Sequence, residues 1–470
     1  MSSKHPYEYD LLVIGSGPSG QKAAVQAAKL NKKVAVIEKN HDLGGVCTNT
    51  GTIPSKSFRE AVLYLTGFRE RSLYGSAYCV KSRISMADLT YRISTIVQQE
   101  IEIIDDQLRR NSIDVLFGSG YLLDKHNVQI TDNEGKVSKT SAQFIVIAVG
   151  TFPHHPEGFD LNHPKVHDSD RILTLEEIPS SLTVVGGGII GCEYASWFSL
   201  LGIKVTLIEA RDELLTFADT EVVDILVEHL ENMGMDVLLG SGVKEVNELD
   251  DGQLETKLDN EIVVVSDSVL ISAGRQGATY TLGLENAGIE IAKYGRLKVD
   301  ENFQTSVPNV YAVGDVIGFP ALASSGMLQG RAASMHMFGL KEDHLNIPLP
   351  YGIWTIPEIS MVGATEKALI ENNVPFEVGR ARYREIARGM MIGDEEGLLK
   401  LLFHKETLKI LGIHIIGEGA TEILHLGQAV LHLGGTLQYF TSGVFNYPTL
   451  GECYRVAALD GFNKINNHTV

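Results

Sequence analysis

Leu11-Leu12-Val13-Ile14-Gly15-Ser16-Gly17-Pro18-Ser19-Gly20 is followed by a stretch of helical spacing and then by Val34-Ala35-Val36-Ile37-Glu38. The pattern returns as Leu182-Thr183-Val184-Val185-Gly186-Gly187-Gly188-Ile189-Ile190-Gly191, a helical stretch, and Val205-Thr206-Leu207-Ile208-Glu209. Each copy reads as a buried strand, a G-x-G-x-x-G turn, a helix, a second strand and an acid at its end. Eighteen positions separate the third glycine from the acid in both copies, from 20 to 38 and from 191 to 209. In such a unit the first glycine makes the tight turn. The second lets the backbone approach a pyrophosphate, and the third lets helix and strand pack closely. The pyrophosphate rests on free N–H groups at the positive end of the helix. The terminal carboxylate accepts hydrogen bonds from ribose hydroxyls.

One such fingerprint is weak, but two complete ones in a single chain predict two dinucleotides. The expected pair is a tightly held FAD and an exchangeable NAD(H) or NADP(H). Ile145-Val146-Ile147-Ala148-Val149-Gly150 and Val269-Leu270-Ile271-Ser272-Ala273-Gly274 are apolar runs ending in small residues. Each is expected to close one of two sheets where a cofactor crosses. The fold class is therefore α/β, with two Rossmann-like units.

Composition agrees and excludes much else. A chain of 470 residues has room for about three domains. It is 44% hydrophobic and 21% charged, an ordinary globular balance. Its 47 glycines exceed the usual share of ~7%. The net charge of −19 argues against nucleic acid or an anionic membrane as partner. Four cysteines, Cys47, Cys79, Cys192 and Cys453, are too few for a disulfide scaffold, and none forms a C-x-x-C pair. The polar stretch Met1–Asp10 lacks the features of a secretory signal, and no apolar run approaches ~18 residues. A cytoplasmic protein is expected. His154-His155, His425 and His432 show no spacing that adds a third ligand, so no metal site is expected. Trp197 and Trp354 read as core or interface residues.

Three further stretches carry a resemblance. Leu43-Gly44-Gly45-Val46-Cys47-Thr48-Asn49-Thr50-Gly51-Thr52-Ile53-Pro54-Ser55-Lys56 resembles the active-site segment of the flavin disulfide reductases. Thr305-Ser306-Val307-Pro308-Asn309-Val310-Tyr311-Ala312-Val313-Gly314-Asp315 resembles their second FAD motif, and Phe445-Asn446-Tyr447-Pro448-Thr449-Leu450-Gly451-Glu452 their interface segment. The likeness runs in order from about residue 8 to 465. It implies an FAD domain over 1–152 and 280–345, an NAD(P) domain over 153–279 and a C-terminal α+β dimerisation domain over 346–470. It implies a homodimer or a higher homo-oligomer.

Two departures carry the functional reading. Members of that family place a second cysteine five positions after the first; here that position is Thr52, and a hydroxyl forms no disulfide. They place a His–Glu pair in the interface segment; here the His position is Tyr447, a poor base at neutral pH, while Glu452 remains. Both parts of the thiol machinery are absent together, which leaves hydride exchange between nicotinamide and flavin. That combination closely resembles the soluble pyridine nucleotide transhydrogenases. The implied reaction is NADPH + NAD⁺ ⇌ NADP⁺ + NADH, by a ping-pong route through FADH₂. A diaphorase or oxidase that passes electrons to a quinone or O₂ would show the same residues. A flavoprotein that only senses redox state would not need the second fingerprint.

The resemblance implies a pairing of Lys56 with Glu193 beside the flavin, where a cation would favour an arriving hydride. It implies cofactor binding by Gly15, Gly17, Gly20, Glu38, Lys39, Gly44, Gly45, Val46, Cys47, Lys56, Gly120, Gly150 and Asp315. The nicotinamide side would comprise Gly186, Gly188, Gly191, Glu209, Arg211 and Gly274. Cys47 is either a small thiol packed on the flavin or a redox group. Glu209 argues for NAD, since a carboxylate repels a 2′-phosphate. Arg211 is either a solvated surface residue or a partner for that phosphate. Arg275 is a further candidate for the phosphate or a structural residue.

Overall fold

The apolar runs that open both fingerprints have no polar face, as strands covered on both sides require. In the computed structural model, which describes residues 6–75, 80–81, 83–340 and 347–466, Leu11, Leu12 and Val13 are wholly buried. The strand Tyr9–Ile14 that contains them lies at the middle of a parallel sheet. The order across that sheet is Asp114–Phe117, Val34–Glu38, Tyr9–Ile14, Val137–Ile147 and Val310–Ala312. A meander of Ser119–Leu122 and Asn127–Thr131 pairs antiparallel with the first half of Val137–Ile147. The helix Pro18–Lys29 lies against Ala323–Met337 at close range. Gly330 allows this, since a Cβ there would stand 2.1 Å from the Ser19 carbonyl oxygen. Cys79 lies outside the described residues.

The second fingerprint builds a second parallel sheet, ordered Asp236–Leu238, Lys204–Ile208, Ser181–Val185, Ser268–Ile271 and Val166–Asp168. The two runs expected to close these sheets where a cofactor crosses stand inside them, next to the first strand of each fingerprint. Ile145–Ile147 is flanked by Tyr9–Ile14 and Val310–Ala312, and Ser268–Ile271 by Ser181–Val185 and Val166–Asp168. Each has neighbours on both sides because the strand order reverses beside the first strand of its fingerprint, which is where a doubly wound sheet opens a crevice. The chain passes between the units along an antiparallel pair, Thr151–Pro153 with Arg275–Gly277. Arg275 clamps this crossing: it donates to Thr151 Oγ1 at 2.9 Å and to the Thr151 carbonyl at 3.0 Å, and it pairs with Asp170 at 3.2 Å.

The last part of the chain is a five-stranded antiparallel sheet, ordered Tyr351–Ile353, Ile359–Gly363, Ile410–Ile416, Leu398–His404 and Phe376–Arg382. The helix Glu452–Ile465 packs on it, and Gly379 makes room, since a Cβ there would stand 1.9 Å from the Ala457 carbonyl oxygen. From this sheet the fully buried Lys400 reaches Asp219 at 2.6 Å and Glu221 at 2.9 Å in the second unit, and also Glu366. Burial alone would lower the pKa of Lys400; the three carboxylates outweigh it and raise it. Among the described residues, no helix is long and apolar enough to cross a membrane.

Candidate functional site

The two glycine turns are built alike to the level of single atoms. Gly15 and Gly186 have φ of +106° and +108°, so each turn needs a residue without a Cβ. A Cβ on Gly20 would stand 2.1 Å from the Gly15 oxygen, and one on Gly191 would stand 1.8 Å from the Gly186 oxygen. The first and third glycines are therefore demanded by the protein itself. The second is not. Gly17 and Gly188 adopt extended backbone that any residue allows, and a Cβ on either would meet nothing within 4 Å. Each is an open cradle at the start of a helix, which fits a pyrophosphate. Gly150 and Gly274, which follow the neighbouring parallel strands at the same end of each sheet, have left-handed φ and a Cβ on either would also meet nothing within 4 Å.

The two strand-end acids both face these turns. Glu38 is buried and accepts from the Ser16 N–H at 3.1 Å, the Ser16 hydroxyl at 2.6 Å and the Asn40 N–H at 2.9 Å. Ser16 Oγ also accepts from the Gly44 N–H at 2.9 Å, which ties the loop before Cys47 to the first turn. Gly45 then lies over Gly17, its notional Cβ 3.0 Å from the Gly17 Cα. Lys39 is exposed at the strand end. Glu209 accepts from the Gly187 N–H at 2.7 Å and is gripped by Arg211.

Between the units lies a cavity of about 1250 Å³. Gly186, Gly188, Glu209, Arg211 and Gly274 line it from one side, and Val46, Thr52, Lys56 and Asp315 from the other. On its wall Lys56 Nζ meets Glu193 Oε2 at 2.6 Å. Glu193 is almost wholly buried, and its other oxygen accepts the Trp354 backbone N–H at 2.8 Å. The Lys56 ammonium also sits 5.6 Å from the centre of the Trp197 ring, whose Nε1 donates to the Trp354 carbonyl at 2.7 Å. Three parts of the chain thus converge to hold one cation. Burial pushes the Asp315 carboxyl up, with the Arg275 charge pulling the other way. Such a half-buried carboxylate on the cavity wall, beside Gly314 at φ +79°, suits a polyol hydroxyl as donor.

Cys47, in the short helix Gly45–Asn49, has Thr52 as its neighbour at the start of the helix Thr52–Thr66. Burial raises the Cys47 thiol, and a hydrogen bond with the Thr52 side chain offsets part of that rise. Cys192 and Cys453 are buried elsewhere, in the second nucleotide helix and in the last helix. Tyr447 is exposed, and Glu452 Oε2 is buried without a hydrogen-bond partner within the chain.

A family model described as pyridine nucleotide-disulphide oxidoreductase matches residues 9–330, and its dimerisation-domain counterpart matches 349–458. The chain belongs to this family. It is 50% identical over 459 residues to the soluble pyridine nucleotide transhydrogenase of Mycobacterium tuberculosis, covering 97% of this chain and 98% of the relative. It is 43% identical to the enzyme of the same name from an Enterobacter species, covering 98% and 99%. Among solved structures, LpdA from M. tuberculosis aligns with a TM-score of 0.88 at 25% identity, covering 96% of this chain and 99% of that one. The HOCl-induced flavoprotein disulfide reductase RclA from Escherichia coli aligns at 0.86 and 26% identity, with the same coverage.

Not every expected site residue joins these groups. Gly120 lies within the meander, where a Cβ would meet the side chains of Ile14 and Ile37 at ordinary contact distances of 3.4 and 3.5 Å. Arg275 is committed to the domain crossing. Two features had no signal in the sequence. The Trp354 N–H that holds Glu193 comes from 161 positions away. Tyr351, on the cavity wall, is packed between Phe217 and Phe319 at centroid distances of 5.8 and 5.9 Å.

Proposed function

We propose that this chain is a flavin-dependent pyridine nucleotide transhydrogenase, which moves a hydride from NADPH to NAD⁺, or from NADH to NADP⁺, at a single nicotinamide site. The observation that carries the reading is the pairing of Cys47 with Thr52. Among the described residues the thiol has a hydroxyl beside it and no second thiol, so electrons have no dithiol to reach. The names of the relatives point the same way.

FAD would be held by Gly15, Gly17, Gly20, Glu38, Lys39, Gly44, Gly45, Val46, Cys47, Gly150 and Asp315; when bound it supplies a two-electron acceptor that takes hydride from one nicotinamide and returns it to another. The open cradle at Gly17 and the half-buried Asp315 fit that group. Gly186, Gly188, Gly191, Glu209, Arg211 and Gly274 would hold the nicotinamide dinucleotide. Lys56 keeps a positive charge on the cavity wall, oriented by Glu193, and favours the negative charge that arrives with a hydride. Glu193, itself fixed by the Trp354 N–H, prevents Lys56 from turning to solvent. Residues 1–152 with 280–345 would form the FAD domain, 153–279 the NAD(P) domain and 346–470 the interface of a cytoplasmic homodimer.

Anaerobic stopped-flow mixing tests the reading. NADPH should bleach the flavin absorbance, and NAD⁺ added next should restore it. Lys56→Gln should slow both phases about 100-fold at unchanged flavin content. A flavin that stays bleached in NAD⁺, or that recovers only with O₂ or a quinone, refutes it.

A further inference from the structure

Lys56 and Arg59 lie three positions apart on the helix Thr52–Thr66, so they share one of its faces. Each is set against a tryptophan. The Lys56 ammonium is 5.6 Å from the centre of the Trp197 ring, and the Arg59 guanidinium is 5.5 Å from that of Trp354. Their surroundings differ: Lys56 and Trp354 line the cavity, whereas Arg59 is buried and does not. Arg59 grips the segment that follows Trp354. Its Nη2 donates to the Thr355 carbonyl at 3.4 Å and to Glu358 Oε1 at 3.2 Å, and its Nη1 donates to Glu60 Oε1 at 2.8 Å. Glu358 is buried as well, and its other oxygen accepts from the Thr421 hydroxyl at 2.8 Å and the Thr421 N–H at 3.2 Å.

Packing alone gives little reason for a cation here. A buried carboxylate offsets the desolvation of a guanidinium only in part, and an apolar chain of similar volume would fill the space as well. Arg59 Nε, moreover, is buried without a hydrogen-bond partner among the described residues. The gripped segment supplies a reason. The Trp354 N–H donates to Glu193 at 2.8 Å, and Glu193 meets Lys56 at 2.6 Å. From the second unit, Trp197 Nε1 donates to the Trp354 carbonyl at 2.7 Å, and Ser196 Oγ accepts the Ile356 N–H at 3.2 Å. Arg59 holds the same segment from the first unit, one helical turn from Lys56. The distance between Lys56 and the N–H that fixes its carboxylate partner is therefore set by Arg59.

We propose that Arg59 is a positioning residue for hydride transfer. It ties the Trp354 ring, the Thr355 carbonyl and Glu358 to the helix of Lys56, and so keeps Glu193 against Lys56 and the ammonium on the cavity wall. Arg59 acts through Glu193 and Lys56, so it governs the rate at which hydride is passed and not the binding of the nucleotide. The inference rests on the reading above that the Lys56 charge favours the arriving hydride.

The test is a double-mutant cycle on the flavin-loaded enzyme, read by anaerobic stopped-flow. Arg59→Met should slow flavin reduction at saturating NADPH about tenfold, with the half-saturating NADPH concentration unchanged. Reoxidation by NAD⁺ should slow by the same factor. In a Lys56→Gln background there is no ammonium to place, and Arg59→Met should then change either rate by less than about twofold. Arg59→Lys should recover part of the loss, because it keeps a cation against the Trp354 ring without the planar fork. The same cycle is run with Arg59→Lys if Arg59→Met does not retain flavin. An equal loss in both backgrounds means that Arg59 only holds the domains together, and it overturns the proposal; so does an undiminished rate in Arg59→Met. In either case slowing by Lys56→Gln alone leaves the reading of Lys56 standing. A Lys56→Gln enzyme as fast as wild type overturns both.

Discussion

The two nucleotide turns share their backbone and differ in what covers them. At the first, Ser16 bonds to Glu38 and to the Gly44 N–H, so a loop of the same unit is laid over the turn, with Gly45 against Gly17. At the second, Gly187 stands where Ser16 stands in the first, and no side chain there can tie a loop down; a Cβ at that position would collide with Leu214 at 2.3 Å. The second turn opens onto the large cavity. One site is closed by its own chain and the other is left open, which is the difference expected between a cofactor that stays and one that comes and goes. The support also differs. The first unit has its own close helix pair and meets the last domain through buried Arg59 and Glu358, whereas the second meets that domain through Lys400 and Trp354.

The sharpest way to break this comparison is at Lys400. Lys400→Met would leave Asp219, Glu221 and Glu366 facing one another without their buried cation, at a cost of about 3–5 kcal/mol. Denaturant melts should show that loss, and hydrogen exchange should place it in the second sheet rather than the first. Uniform loosening of both sheets would mean that the two units are not supported differently.

The glycines come next. Gly20→Ala and Gly191→Ala force a Cβ into a carbonyl and should each destabilise by about 3 kcal/mol. Gly17→Ala and Gly188→Ala have room and should melt within about 0.5 kcal/mol of wild type. They should instead weaken flavin retention and nicotinamide binding, respectively. A Gly188→Ala protein that melts like Gly191→Ala would show that the second glycine also serves the fold.

Ser16→Gly makes the first turn resemble the second. It removes a hydroxyl that serves both Glu38 and the Gly44 N–H, a loss of about 1–2 kcal/mol. Flavin should wash out faster on dialysis while calorimetric titration with 5′-AMP is unmoved. Unchanged flavin retention would show that the loop is held by other contacts.

The smallest expected effect is one of pH. His167, in the edge strand Val166–Asp168 of the second sheet, is pushed down to about 4 by burial and by the charge of Arg171. Its folded pKa lies below the unfolded value, so the unfolded chain takes up the proton first as pH falls. The contribution is complete above about 6.5 and is lost on the way down to about 4. His167→Gln should flatten that limb of the stability profile; an unaltered profile would assign it to other groups.

Much of this was readable in advance. The spacing of glycines and acids located both turns, and the burial of Leu11 to Val13 and of Leu182 to Val184 followed from apolar runs without a polar face. The place of Thr52 beside Cys47 followed from five positions of local chain. The neighbours of Ile145–Ile147 and Ser268–Ile271 were not legible, because which strand lies beside another depends on crossovers of many residues.

By itself the sequence determined what lies within about twenty residues of itself: turn, helix, strand and the acid that closes them, since these depend on short-range sterics and hydrogen bonds. The meeting of Lys56 with Glu193 across 137 positions was implied by the family resemblance and not by local chain, and tertiary structure alone decided that the Trp354 N–H holds Glu193 and that Lys400 joins two domains. Those contacts arise where separately folded units pack, and the burial that makes them strong exists only once all the units are in place.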